Sequence, residues 1–377
     1  MPKLTKVLLS LTTISFILTF SISANGEFIK ADKGTKNNTE VNSKELSVYS
    51  SGKYKASLGN NMEVDAVVDK PNINSAAILQ VEGTAFDPKK LCDIFLGSGE
   101  VKKEKLGENT SYSIGNKILD VYTVGAFSFR TPLAGYINEI INTLPNGNID
   151  KFEVQDLSFM TREKAIEKAR KVLMELNITP YGSPTVYALD NKTIKQEQER
   201  LIKEDEGFKY FLDLRKIKLK DNWSSDDDSY YMVFHNSIRG ISSEPFGYAA
   251  ANADTLVEGS EIKILISKNG IESFVIDGKI YQEKSVKGSN LPLISISQAL
   301  NSLEKKYSDV LLSDKIVVSS ISLVYSPVLT NSKEENRNIE LVPTWLFNIN
   351  EKVKKGNDVR QAYTNVRINA LDGKEIR

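Results

Sequence analysis

Residues 339–377, IELVPTWLFNINEKVKKGNDVRQAYTNVRINALDGKEIR, carry the plainest structural signal in the chain. Ile339, Leu341, Pro343, Trp345, Phe347 and Ile349 fall on alternate positions, with Glu340, Thr344 and Asn348 between them. This is the period-2 pattern of a strand with one buried face. Val366, Ile368 and Ala370 then alternate with Arg367 and Asn369 before Asp372-Gly373, a dipeptide suited to the positive φ of a tight turn. Pro343 within the first run suggests a strand at a sheet edge, where a missing N–H is tolerated and a peptide can pair.

Working back from this pair, the order of elements recurs. Thr161 is the expected N-cap of a helix in which Ala165, Ile166, Ala169, Val172, Leu173 and Leu176 share a face. Strands are expected at 185–189, 230–236 and 262–276, the last a hairpin around Lys268-Asn269-Gly270. In the second round, Ser295 and Gln298 form a capping box for a helix with Ile296, Ala299, Leu300, Leu303 and Tyr307 on one side. An alternating stretch through Ile321, Leu323 and Tyr325, the Trp345 strand and the Val366 strand then repeat the series. The first round alone contains a charged insertion at 192–220.

The fold class expected is α+β, with antiparallel sheets each packed by a helix. Two tandem helix-strand-strand-strand modules, 158–288 and 289–377, follow a β-rich α+β module at 45–157. In that first module Met62, Val64 and Ala66 alternate with Glu63 and Asp65, and two helices are expected. One has Asp87 as N-cap and Pro88 at its first position; the other spans 133–144. With 377 residues the chain is long enough for two or three domains.

Lysine plus arginine total 49 and aspartate plus glutamate total 49, so no net field draws the chain to nucleic acid. Lys3 and Lys6 precede an uncharged apolar run, residues 7–24, which is read as an export signal cleaved after Ser23 or Ala24, or as a membrane anchor if uncut. Either way the folded part is expected outside the cytoplasm, beyond a polar spacer at 25–44. The single cysteine, Cys92, excludes an internal disulfide and reads as a buried thiol.

A helix on a small antiparallel sheet, ending in NALDGKEI, resembles the PepSY-like modules of bacterial extracytoplasmic proteins. The whole arrangement resembles the YycH/YycI type of sensor-kinase regulators and related secreted proteins of Gram-positive bacteria. The residues that carry the resemblance are Val342-Pro343-Thr344-Trp345, Leu323-Val324-Tyr325 and Asp372-Gly373-Lys374-Glu375. It implies protein binding and no cofactor.

Chemistry leaves few marks. His235 is the only histidine, so a multi-histidine metal site cannot be built, and it reads as a strand residue beside Tyr231, Val233 and Phe234. No phosphate-binding glycine loop is present. Asp226-Asp227-Asp228 lacks EF-hand spacing and reads as a solvated loop, with calcium left open. Trp223, Tyr230, Tyr231, Phe234, Phe246, Tyr248 and Trp345 are weighed as a groove lining; Trp345 and Phe347 read as core.

The loop Glu244, Pro245, Phe246, Gly247, Tyr248 is the candidate partner-binding element, together with the groove between the two modules. The expected function is non-enzymatic binding of a protein or peptide in the cell envelope, with regulation of a sensor kinase or protease. The alternatives are a cell-wall hydrolase using acidic residues, marked by two buried carboxylates of raised pKa in one cleft, and a surface adhesin or solute binder.

Overall fold

The structure, a computed structural model, describes residues 52–377 except 60, 123–124, 144–146, 153–154, 251–255, 309–314, 332–337 and 356–357. The apolar run at 7–24 and the spacer at 25–44 lie outside the described residues. In chain order the first elements are β1 (Lys53–Leu58), β2 (Met62–Asp69), β3 (Ser75–Gly83), α1 (Pro88–Phe95), β4 (Lys102–Leu106), β5 (Asn109–Ile114), β6 (Lys117–Val121), β7 (Phe127–Arg130) and α2 (Pro132–Ile140). Next come α3 (Arg162–Glu175), β8 (Pro180–Leu189), α4 (Asn191–Glu204), α5 (Glu206–Asp213), β9 (Ser229–Ile238), β10 (Ile241–Ser243), β11 (Tyr248–Ala249), β12 (Leu256–Val257), β13 (Ser260–Ser267) and β14 (Gly270–Gly278). The chain closes with β15 (Tyr281–Pro292), α6 (Ile296–Tyr307), β16 (Ile316–Asn331), β17 (Asn338–Lys355), β18 (Asp358–Asn369) and β19 (Glu375–Ile376).

Helices and strands therefore mix in one chain, with most strands joined in a single large mixed sheet that folds into two leaves. The first leaf is antiparallel, in the order β4-β5-β6-β7-β14-β13-β9-β8. The second is built on the β16-β17 pair. Next to β16 run β2 in parallel at one end and β10 in parallel at the other. Next to β17 run β18 over most of its length and β3 at its start. Residues 45–157, read as one β-rich module, are split between the leaves: β1, β2 and β3 extend the second and β4–β7 extend the first.

Pro343 is not at an edge. It pairs with Tyr325 in the central strand β17, and its carbonyl accepts from Ala370 N at 2.8 Å. On the other side β3 pairs up to Leu341 and β18 from Thr344 onward, so the missing N–H falls in the gap where one neighbour gives way to the next.

The first leaf carries helices on both faces, the second on one. Thr161 caps α3 as its spacing predicts, and Ala165, Ala169 and Leu173 pack with α1 on Tyr230, Met232 and Phe234 of β9 and Ile262, Ile264 and Ile266 of β13. Ser295 and Gln298 close a capping box on α6, whose Ala299, Leu300 and Leu303 meet Ile321, Leu323, Trp345, Phe347 and Ile368. Trp345 is 3% exposed and its Nε1 donates to Ile294 O at 3.0 Å. Gly373 takes φ 73° in the turn after β18. Gly278, at φ 88°, also has no room for a side chain: a Cβ there would intrude on the Gly259 carbonyl, which accepts from Lys279 N at 2.8 Å.

The insertion at 192–220 is helical as far as Asp213. Asp190 caps α4 and Asp205 caps α5, while Ile194, Leu201 and Phe208 pack with α2 on Tyr231 and Leu265, the reverse face of the first leaf. On α4 the buried Glu197 accepts from Arg200 Nε at 2.9 Å, Lys151 Nζ at 2.8 Å and Asn148 Nδ2 at 2.9 Å. Burial raises its pKa, but these three donors outweigh it and hold the carboxyl at about 2, below the ordinary 4.5. Since the folded value is depressed, the stabilisation is complete above about pH 4.5 and is lost as pH falls toward 2, a contribution on the order of 2–3 kcal/mol. Urea titrations of wild type and Glu197→Gln at pH 7 and pH 3 are expected to show a stability gap at pH 7 that narrows at pH 3.

Cys92 lies buried against the first core, and burial pushes its thiol pKa up. A chromogenic disulfide reagent is expected to label it only after denaturant is added.

Candidate functional site

The part of the first leaf's reverse face that α2, α4 and α5 leave open meets the face of the second leaf turned away from α6 across a cleft of about 340 Å³. The alternation that sends Tyr230, Met232 and Phe234 into the α3 core sends Val233 and His235 toward the cleft, joined by Thr185 and Tyr187 from β8 and Glu261 and Lys263 from β13. From the second leaf, Ser322 and Val324 of β16 and Leu346 and Asn348 of β17 form the opposite wall, the counterparts of the core-facing Leu323, Trp345 and Phe347.

The walls are held at a corner. β9 turns into β10 through Arg239 and Gly240, whose φ angles of 52° and 79° are both positive, as a two-residue turn of this hand demands. β10 then joins the second leaf beside Val324 and Tyr325. A second bridge runs from the Tyr181 hydroxyl to Asp69 Oδ1 at 3.1 Å. Burial and the adjacent Asp69 carboxylate push the Tyr181 phenol up to about 12.

Beyond the corner the chain crosses the second leaf. Glu244 is fully buried; Arg367 Nε and Nη2 donate to its Oε1 at 2.6 and 2.5 Å. The guanidinium also lies 4.3 Å from the Tyr248 ring centre, and the Tyr248 hydroxyl donates to Pro327 O at 2.7 Å. Burial pushes the Glu244 carboxyl above its ordinary range, with Arg367 opposing. The candidate loop therefore divides in function: Glu244 and Tyr248 fasten it to the leaf, while Pro245 and the exposed Phe246 remain at the rim of the cleft.

Inside the cleft, burial lowers the Lys263 pKa, but Glu261 at 3.1 Å and Asp277 at 2.7 Å outweigh it and hold the ammonium above its ordinary value. Burial raises the Tyr187 phenol. His235 Nδ1 and Asn348 Oδ1, on opposite walls, are buried with no hydrogen-bond partner among the described residues.

The other sequence candidates fall elsewhere. Asp226, Asp227 and Asp228 do not form a solvated loop: each carboxylate has its own partner, Lys268, Lys220 and Asn191 respectively, and Asp227 and Asp228 are buried. No group of three or more metal-ligating side chains converges among the described residues. Tyr230, Tyr231, Phe234, Tyr248 and Trp345 are buried, and Trp223 Nε1 donates to Gln198, so of the weighed aromatics only Phe246 lines the cleft. The inward Asn348 and Lys263 are site residues that the sequence motifs do not mark; their signal is the polar position between buried strand residues.

No family model matches the chain, and no curated protein sequence matches it. Among solved structures, the chain is similar to an uncharacterised protein from Eubacterium rectale, with a TM-score of 0.64 at 16% identity, over 86% of this chain and 93% of that one. The likeness shows a shared fold. Among the described residues no helix is long and apolar enough to cross a membrane.

Proposed function

We propose that this chain is a non-enzymatic extracytoplasmic protein that binds a peptide or protein segment in the cleft between its two leaves, as a regulator of an envelope sensor or protease. The observation that carries this reading is the pair of unpartnered buried polar atoms, His235 Nδ1 and Asn348 Oδ1, on facing walls. Leaving such atoms unpaired costs about 1–3 kcal/mol each, which a ligand offering backbone-like donors and acceptors recovers. Apolar Val233, Val324 and Leu346 between them suit a side chain, and Phe246 at the rim adds an exposed aromatic contact.

The acidic-hydrolase alternative draws less support. The carboxylates that burial pushes up, Glu139 on α2, Glu244 in the crossing segment and Glu351 on β17, are none of them in the cleft lining. Asp69 and Glu261, which do line it, are already bonded to Tyr181 and Lys263.

The same strand order under α3 and under α6 supports tandem PepSY-like modules, 158–288 and 289–377, with the cleft between the parts of their faces that helices leave open. The apolar run after Lys3 and Lys6 supports export or anchoring. The test is selection of displayed peptides on the full chain. Selected peptides are expected to lose binding to Ser322→Trp, which fills the cleft, and to weaken toward Phe246→Ala at the rim, with melting temperatures unchanged. Equal binding to wild type and both variants would overturn the cleft assignment.

A further inference from the structure

Helix α5 is apolar on both sides. Phe208 is buried beneath it, yet Tyr210, Phe211 and Leu214 are 60%, 50% and 48% exposed. With Gly207 they fall at i, i+3, i+4 and i+7, one continuous outward stripe, and the Tyr210 and Phe211 rings pack edge to face at 5.5 Å. Where the helix ends, Arg215, Lys216 and Lys218 are exposed and outnumber the one exposed carboxylate there, Asp213; none of the three pairs with a carboxylate among the described residues. Upstream, Lys209 is tied to Glu206. The surface thus joins an unpartnered aromatic-aliphatic stripe to three free cations at one end.

We propose that α5 is a membrane-surface contact that lays Tyr210, Phe211 and Leu214 into the interface of an anionic bilayer, with Arg215, Lys216 and Lys218 on the lipid phosphates. Amphipathic aromatic rings beside basic side chains match the two layers of that interface, an apolar boundary under a negatively charged one. The apolar run at 7–24 is joined to β1 by 28 residues, a reach of at most about 95 Å, ample to bring α5 to the bilayer that holds the run. This last point rests on the membrane-proximal placement proposed above; the α5 surface itself is independent of the cleft.

The experiment labels full-length Phe211→Cys with an environment-sensitive fluorophore, Cys92 being buried, and adds vesicles of phosphatidylcholine alone or mixed with phosphatidylglycerol. Emission is expected to shift to the blue with the anionic vesicles only. Arg215→Asn, Lys216→Gln and Lys218→Gln together are expected to raise the lipid concentration needed by about a hundredfold. Flotation with either vesicle and no blue shift would leave the anchored placement standing and overturn the α5 contact. So would an equal shift on neutral vesicles, or a label already blue without lipid, which marks a face covered by the chain itself or by a protein.

Discussion

Replacing Arg367 by methionine is expected to destabilise the protein by about 3–5 kcal/mol, because it leaves the fully buried Glu244 carboxylate without its cation. The residues lie 123 positions apart and fasten the segment leaving β10 to β18, so the loss falls on the joint between the leaves. The double variant Glu244→Leu/Arg367→Met is expected to recover much of the loss, since the cost lies in the orphaned charge. Burial already raises the Glu244 pKa against the opposing Arg367, and removing Arg367 raises it further. The folded variant then binds a proton that the unfolded chain releases, so its stability rises as pH falls through the raised value, and the gap to wild type narrows in acid. Urea denaturation at pH 8 and pH 5 checks both the size and the sign.

Trp345→Ala is expected to cost a similar amount, about 3–5 kcal/mol, by opening a cavity beneath α6 and stranding the Ile294 carbonyl that accepts from Nε1. Trp345→Phe, which keeps most of the ring, is expected to cost less than half as much. Because Trp345 faces α6 while Leu346 and Asn348 face the cleft, the folded fraction of either variant is expected to bind selected peptides as wild type does.

The strands with one buried face and the three best helices are legible because burial imposes period: Trp345, Phe347 and Ile349 alternate, Ala165, Ala169 and Leu173 recur at helical spacing, and the caps Asp87, Thr161 and Ser295 each bond as expected, whereas exposed strands such as β4 and β15 carry no such period. The helices α4 and α5 are not legible in this way, since their buried faces carry Glu197 and Gln198 beside sparse apolar residues. The Asp190 and Asp205 caps and the seven-residue spacing of Ile194, Leu201 and Phe208 are the signals that mark them. Pairing across long separations left no local trace. Nothing near Pro343 shows that two strands change places beside it, and nothing near Glu244 points to Arg367. The groove between the leaves could be expected as a place, but its lining depends on which faces the helices leave uncovered.

Photo-crosslinking from position 246 reports directly whether a bound peptide occupies the cleft. With benzoylphenylalanine in place of Phe246 and a selected peptide bound to the full chain, an adduct is expected that excess unlabelled peptide suppresses and that Ser322→Trp abolishes while the fold is retained. An adduct that forms equally well in Ser322→Trp, or peptide binding with no adduct at position 246, would contradict binding in the cleft.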